Sequence, residues 1–144
     1  MDVGLALLAD YANVTAEGKL NILGVFNIIY ASRFPTVHRQ MQLVFTLEAP
    51  LWEMGSPKKV EIRLMTEDGQ TLLSLSGELA LHSEGGQPTG ELKLPQIIQL
   101  QDLRFEKPGT YQFAILINDD TKKTIPIRVV ERSEERRVGK ECRL

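Results

Sequence analysis

The chain is poor in the residues from which reactive and metal-bound sites are built. Its single cysteine, Cys142, excludes an internal disulfide framework and a thiolate metal cage. The two histidines, His38 and His82, lie far apart, and neither has a Cys or His at metal-ligand spacing. No Gly-x-Ser-x-Gly elbow frames a serine, and no glycine-rich loop is set to cradle a phosphate. The formal net charge of −2 gives no basic excess to attract a nucleic-acid backbone. The first apolar run is broken by Asp10 and has no Lys or Arg before it, so it reads as neither a secretory signal nor a membrane span. These absences point to a cytoplasmic, non-catalytic protein that uses no cofactor and no metal.

What the chain does have is alternation. Met41, Leu43, Phe45 and Leu47 alternate with Gln42, Val44, Thr46 and Glu48, and Val60, Ile62 and Leu64 alternate with Lys59, Glu61 and Arg63. The same period of two recurs through Leu73, Leu75, Leu79 and Leu81, through Tyr111, Phe113, Ile115 and Ile117, and through Ile125, Ile127 and Val129. That is the period of a strand with one face on a core. Asp68-Gly69 predicts a type I′ hairpin, and Asn118-Asp119-Asp120-Thr121 a second tight turn. Pro95 and Pro126 mark edge strands. Ser83 to Gly90 has no apolar anchor and reads as a loop. No segment sustains a helical period. The prediction is an all-β domain over residues 1–131, an antiparallel β-sandwich of about eight strands with Ig-like or jelly-roll topology. Phe26, Phe45, Leu64, Leu75, Phe113, Ile115 and Ile127 are expected in its core.

The last thirteen residues, 132–144, break this rhythm. Arg132 to Leu144 holds five positive and three negative charges and has no strand period. It resembles a translated adapter or vector peptide and reads as a non-native tail outside the fold. A basic tail for nucleic acid, or a redox thiol at Cys142, is the functional alternative.

Two apolar runs, Val3 to Val14 and Leu20 to Tyr30, flank the turn-like Thr15-Ala16-Glu17-Gly18-Lys19 and read as a hairpin. Both of its faces are apolar. Leu20, Ile22, Phe26 and Ile28 are assigned to one face, and Leu23, Val25 and Ile29 to the other. A sandwich strand ordinarily leaves one face to water. The outer set Leu23, Val25 and Ile29 therefore reads as a partner-binding surface, for another protein or a second copy of this chain. The competing explanation is that the Ala31 to Arg39 connection folds over it.

Leu8-Ala9-Asp10-Tyr11-Ala12, Gly18-Lys19-Leu20-Asn21-Ile22-Leu23-Gly24-Val25-Phe26, Phe34-Pro35 and His38 resemble an uncharacterised family of small bacterial all-β proteins, a domain of unknown function. Glu67-Asp68-Gly69 and Pro108-Gly109-Thr110-Tyr111-Gln112-Phe113 sit where that family places comparable turns. The resemblance spans Leu5 to Glu131. It implies a compact all-β bacterial protein and supplies no activity, cofactor or site residue.

Other residues admit two readings each. Trp52 can be an aromatic platform for a sugar, but a lone Trp in an apolar loop is expected to fold back as a plug on a core edge. Asp119 and Asp120, like Asp68, can offer oxygens to calcium, but they are also the residues tight turns prefer. Trp52, Asp119 and Asp120 are thus the site residues of an alternative ligand-binding module, for carbohydrate or calcium. Asp10 interrupts an apolar strand, either as a functional acid or as a hydrogen-bonded edge residue. His38 and His82 read as loop or surface residues.

Overall fold

Alternation of apolar and polar side chains sets which face of each strand meets the core, and the computed structural model follows it. It describes residues 1–53, 55–80 and 91–132. His82, the Ser83 to Gly90 loop and residues 133–144 of the tail lie outside the described residues. The chain runs β1 (Asp2–Val14), β2 (Leu20–Phe26), β3 (Ile28–Ala31), β4 (Thr36–Pro50), a single 3-10 turn at Leu51–Glu53, β5 (Pro57–Met65), β6 (Thr71–Ala80), β7 (Glu91–Phe105), β8 (Gly109–Ile117) and β9 (Asp120–Glu131). Nine strands thus stand among the described residues, where about eight were expected. No α-helix occurs among the described residues.

The strands form two sheets, ordered β2-β1-β4-β7 and β3-β9-β8-β5-β6. One shared core lies against both. Leu8, Met41, Leu43, Phe45 and Leu47 come from the first sheet, and Ile62, Leu64, Phe113, Ile115 and Ile127 from the second. Phe105 and Tyr111 meet edge to face at 4.9 Å between ring centroids, the geometry aromatic quadrupoles favour. The buried Tyr111 hydroxyl donates to the Lys107 carbonyl at 2.6 Å and so closes the turn into β8.

Five of the seven expected core residues are buried: Phe45, Leu64, Phe113, Ile115 and Ile127. Phe26 is half-buried against the same cluster. Leu75 is the exception, 38% exposed. It faces inward opposite Ile62, but β6 is the last strand of its sheet among the described residues, so no described neighbour shields it.

Two hairpins share one turn. In each, a threonine carbonyl accepts the glycine N–H three residues on, and the threonine Oγ1 accepts the N–H of the following residue: Thr15 with Gly18 and Lys19, Thr66 with Gly69 and Gln70. Only Gly69 has positive φ at the second turn, where Asp68-Gly69 was expected to supply two such residues. The turn is therefore a type I turn closed by a left-handed glycine rather than type I′. At the β8–β9 turn both Asn118 and Asp119 are left-handed, as a type I′ turn requires.

Pro95 lies on the edge strand β7, as its missing N–H demands. Pro126 lies on β9, between β3 and β8. Because β3 pairs only with Arg128 to Glu131, the ladder on that side of β9 stops short of Pro126, and no N–H is missed there. In the paired strands β4 and β7 the inward face changes between Met41 and His38 and between Leu100 and Leu103. Asp102, at φ 54°, sits at that switch.

The second apolar run is two strands, not one. β2 pairs antiparallel with β1, Leu8 opposite Phe26 and Tyr11 opposite Leu23. At Asn27 the chain crosses to the other sheet, where β3 pairs parallel with β9, Ile29 opposite Val129. The pairing is otherwise antiparallel.

Candidate functional site: an uncovered sheet face

The crossing at Asn27 separates the three residues assigned to one outward surface. Leu23 and Val25 are 64% and 61% exposed. Ile29 is only 6% exposed and belongs to the core of the other sheet, so it is removed from the surface set. The expectation failed there because strict alternation was carried through Asn27, where the chain changes sheets.

Around Leu23 and Val25 the register builds a wider face. Leu8 faces the core, so Ala9 and Tyr11 face outward, opposite Val25 and Leu23. Tyr11 is 47% exposed, and Leu5 on the same strand is exposed too. Ala9 and Val44 are fully buried on this outer side, beneath their larger neighbours. Gln42, also on this side, accepts the Ala12 N–H at 2.7 Å, just past the point where the β1–β4 ladder ends at Ala9. No described segment lies over Leu23 and Val25. The connection after Ala31 leads from the opposite sheet into β4, and Leu23 and Val25 stay exposed. The result is an apolar surface of Leu5, Tyr11, Leu23 and Val25 beside the free edge of β2.

The alternative site residues sit at one end of the molecule. Trp52 is 80% exposed, so the expected plug role is overturned: the 3-10 turn holds the indole out into water. Glu53 beside it pairs with the Met1 amino group at 2.8 Å and with Lys58 at 3.5 Å, and these cations hold its carboxyl below the usual carboxylate range. Asp119 faces Lys59 at 3.3 Å, and Asp120 faces Lys122 at 3.3 Å. Both turn carboxylates therefore meet lysines, a surrounding that competes with a cation. No group of three or more His, Cys, Asp or Glu able to hold a metal occurs among the described residues.

Asp10 and His38 are brought to one cleft, which their spacing did not show. Both line a cleft of about 420 Å³ with Gly24, Phe26, Ile28 and Tyr30. Gly24 has φ 71°, and a Cβ there would lie 2.5 Å from the Asp10 Oδ2. Glycine is thus required twice, for its left-handed backbone and for the carboxylate above it. His38 Nε2 is buried and has no hydrogen-bond partner among the described residues. Burial lowers the His38 pKa, against the pull of the Asp10 carboxylate and the Gln40 backbone. A glycine inside an apolar strand facing an acid was the one signal available in the sequence. Arg132 lies at the rim: its N–H donates to the Ala31 carbonyl at 2.8 Å, and its guanidinium stands 5.6 Å from the Tyr30 ring centroid. The first residue of the segment read as a tail is thus tied to β3.

These features define a two-sheet all-β protein with a bare apolar face on one sheet. The chain belongs to DUF6941, a family of unknown function, which matches residues 4–130. That agrees with the sequence resemblance to an uncharacterised family. No curated protein matches the chain. Among solved structures it is similar to the Pseudomonas fluorescens alkylpurine DNA glycosylase AlkC bound to DNA containing an abasic site analog, at 16% identity over 72% of this chain, with a TM-score of 0.37. The match spans 27% of that protein's chain. A likeness of that size carries no argument about this chain. No helix of the described residues is long and apolar enough to cross a membrane.

Proposed function

We propose that this is a non-catalytic protein-interaction module, built on a β-sandwich, that engages a protein partner through the outer face of β1 and β2. The observation that carries the reading is the exposure of Leu23 and Val25, side by side with Tyr11, on a strand whose other edge is free. Apolar area left in water costs about 25 cal/mol per Å², and contiguous apolar patches on soluble proteins mark contact surfaces. The Tyr111 hydroxyl bond to a backbone carbonyl upstream supports the sandwich reading, since Ig-like domains use a similar tyrosine corner.

Val25→Lys tests the proposal. Val25 is exposed, so lysine fits without disturbing the core, and stability stays within about 0.5 kcal/mol. The expected result is a folded protein that no longer captures its partner in a pulldown from the native host. Retention of the same partner by Val25→Lys and by Leu23→Lys refutes the reading. The exposed Trp52 favours a second reading, a carbohydrate-binding end, because a bare indole is the platform sugars stack on. Glycan-array binding abolished by Trp52→Ala supports that reading; its absence removes it.

A further inference from the structure

Each sheet ends in two strands whose outer backbone groups need protection from other chains. Three of these four edges are blunted. β3 has only four residues, β7 carries Lys93 and Pro95, and β2 is kinked at Gly24 with φ 71°. The fourth edge, β6, is not. Thr71-Leu72-Leu73-Ser74-Leu75-Ser76-Gly77-Glu78-Leu79-Ala80 has ten residues, no proline, no Lys or Arg, and one charge. Nothing pairs with its outer edge among the described residues. Beside it the inner face is incompletely filled. A cleft of about 290 Å³ opens between the two sheets, lined by Phe45, Ile62, Leu75, Leu79 and Ile98, and a Cβ placed on Gly77 would meet nothing within 4 Å.

We infer that β6 is a self-association edge, pairing antiparallel with β6 of a second copy about a two-fold axis at Ser76. Partners in the β5–β6 register show which side chains face in: Leu73, Leu75, Gly77 and Leu79 lie opposite Leu64, Ile62, Val60 and Lys58. With Ser76 opposite the partner's Ser76, Leu75 falls opposite the partner's Gly77, and Leu73 opposite the partner's Leu79. Every inward pair is then apolar or fills the vacancy over glycine. On the outward face, Glu78 falls opposite the partner's Ser74, in the row that continues to the partner's Arg63, a cation already paired with its own Glu61. Glu78 lies opposite Lys59 of its own chain, so it brings no unanswered charge to the contact. Moving the axis to Leu75 pairs Leu72 with Glu78 and Leu79 with Thr71, and the complementarity is lost. An isologous contact needs such a self-complementary stretch, and β6 has one. A ten-residue strand pair buries less than the roughly 1,200–2,000 Å² of a standard interface, so the dimer is weak and concentration-dependent.

The test uses the full chain. Light scattering over roughly a hundredfold concentration range, spanning the micromolar affinities of small interfaces, should show the mass rising from 16.2 kDa toward twice that value. Ser76→Lys sets two like charges face to face on the axis and should hold the protein at monomer mass, with an unchanged circular dichroism spectrum. A cysteine pair then reads the register without relying on that variant. In a Cys142→Ser background, Ser76→Cys places two Cα atoms about 4.5–5.5 Å apart, within disulfide reach, and should cross-link under mild oxidation. Ser74→Cys places them about 14 Å apart along the strand and should not. A wild-type protein that stays monomeric throughout and a Ser76→Cys variant that gives no cross-linked dimer overturn the inference. So does a dimer that survives Ser76→Lys but is lost in Val25→Lys, since association then runs through the other sheet. Loss of a host partner in Val25→Lys with the β6 dimer intact separates this inference from the proposed function.

Discussion

Gly24→Ala measures whether the Asp10 carboxylate is locked over the β2 backbone. Two costs add. At φ 71° a residue with a Cβ pays about 1–2 kcal/mol for left-handed backbone. The new methyl would also sit 2.5 Å from Asp10 Oδ2, closer than carbon tolerates, and at a tight 3.0 Å from its Cγ and 3.1 Å from its Cβ. Asp10 must turn away, and an off-rotamer side chain costs about 0.5–1.5 kcal/mol. Reduced freedom of the unfolded chain returns about 0.4–1 kcal/mol. The net expectation is a loss of about 0.5–3 kcal/mol, read by urea titration with an unchanged slope. Gly18→Ala is the control. It has φ 89° but open space around its Cβ, so it pays the backbone cost alone. Asp10→Ala combined with Gly24→Ala should recover the steric share, a coupling of about 0.5–1.5 kcal/mol in the double-mutant cycle. Equal losses at Gly18 and Gly24, with no coupling to Asp10, refute the close approach as the reason for glycine at this position.

Phe113→Ala should cost about 3–5 kcal/mol in the same titration, because Phe113 is fully buried between the sheets and leaves a cavity. His38 has a folded pKa below its ordinary 6.5, so the unfolded chain takes up the proton first as the pH falls. Stability should therefore be full above that value and decline below it, a slope that His38→Phe flattens in pH-dependent melts. The carboxyls of Glu53 and of Glu61, which Arg63 and Ser74 hold down by hydrogen bonds, add a further loss only as the pH drops below 4.5. Deleting residues 133–144 while keeping Arg132 on Tyr30 should leave the melting temperature unchanged in calorimetry; a clear drop would show that the tail belongs to the fold.

The strands were legible because their signal is local. Phe45, Leu64, Phe113 and Ile127 recur with other large apolar residues at every second position, and that pattern decides which face is buried whatever the strand order. Edges were legible only in part. Pro95 marks one correctly, yet Leu75 reads as core from its own strand and is exposed because, among the described residues, nothing pairs with the outer edge of β6. Trp52 misled for a related reason: whether an indole folds back depends on the aim of a three-residue turn, which composition does not encode. Bringing Asp10 and His38 to one cleft needs the β1–β2 register, the change of face between His38 and Met41, and a glycine with positive φ. Each was a separate unknown.

The break at Asn27 explains why the exposed face exists at all. A single hairpin carrying the whole run from Leu20 to Tyr30 would have to bury Ile29 and expose Val25 on strands of one sheet. Crossing to the second sheet lets Ile29 enter the core beside Val129, while the Asn27 carbonyl accepts the Arg128 N–H at 2.9 Å to start the parallel ladder. The same crossing ends β2 as a short outer strand, with no described strand beyond it to cover Leu23 and Val25. Core closure on one side therefore leaves apolar residues bare on the other. A partner that covers them also finds the unpaired backbone edge of β2 within reach, so Val25→Lys should weaken capture through lost apolar contact even where strand pairing remains possible.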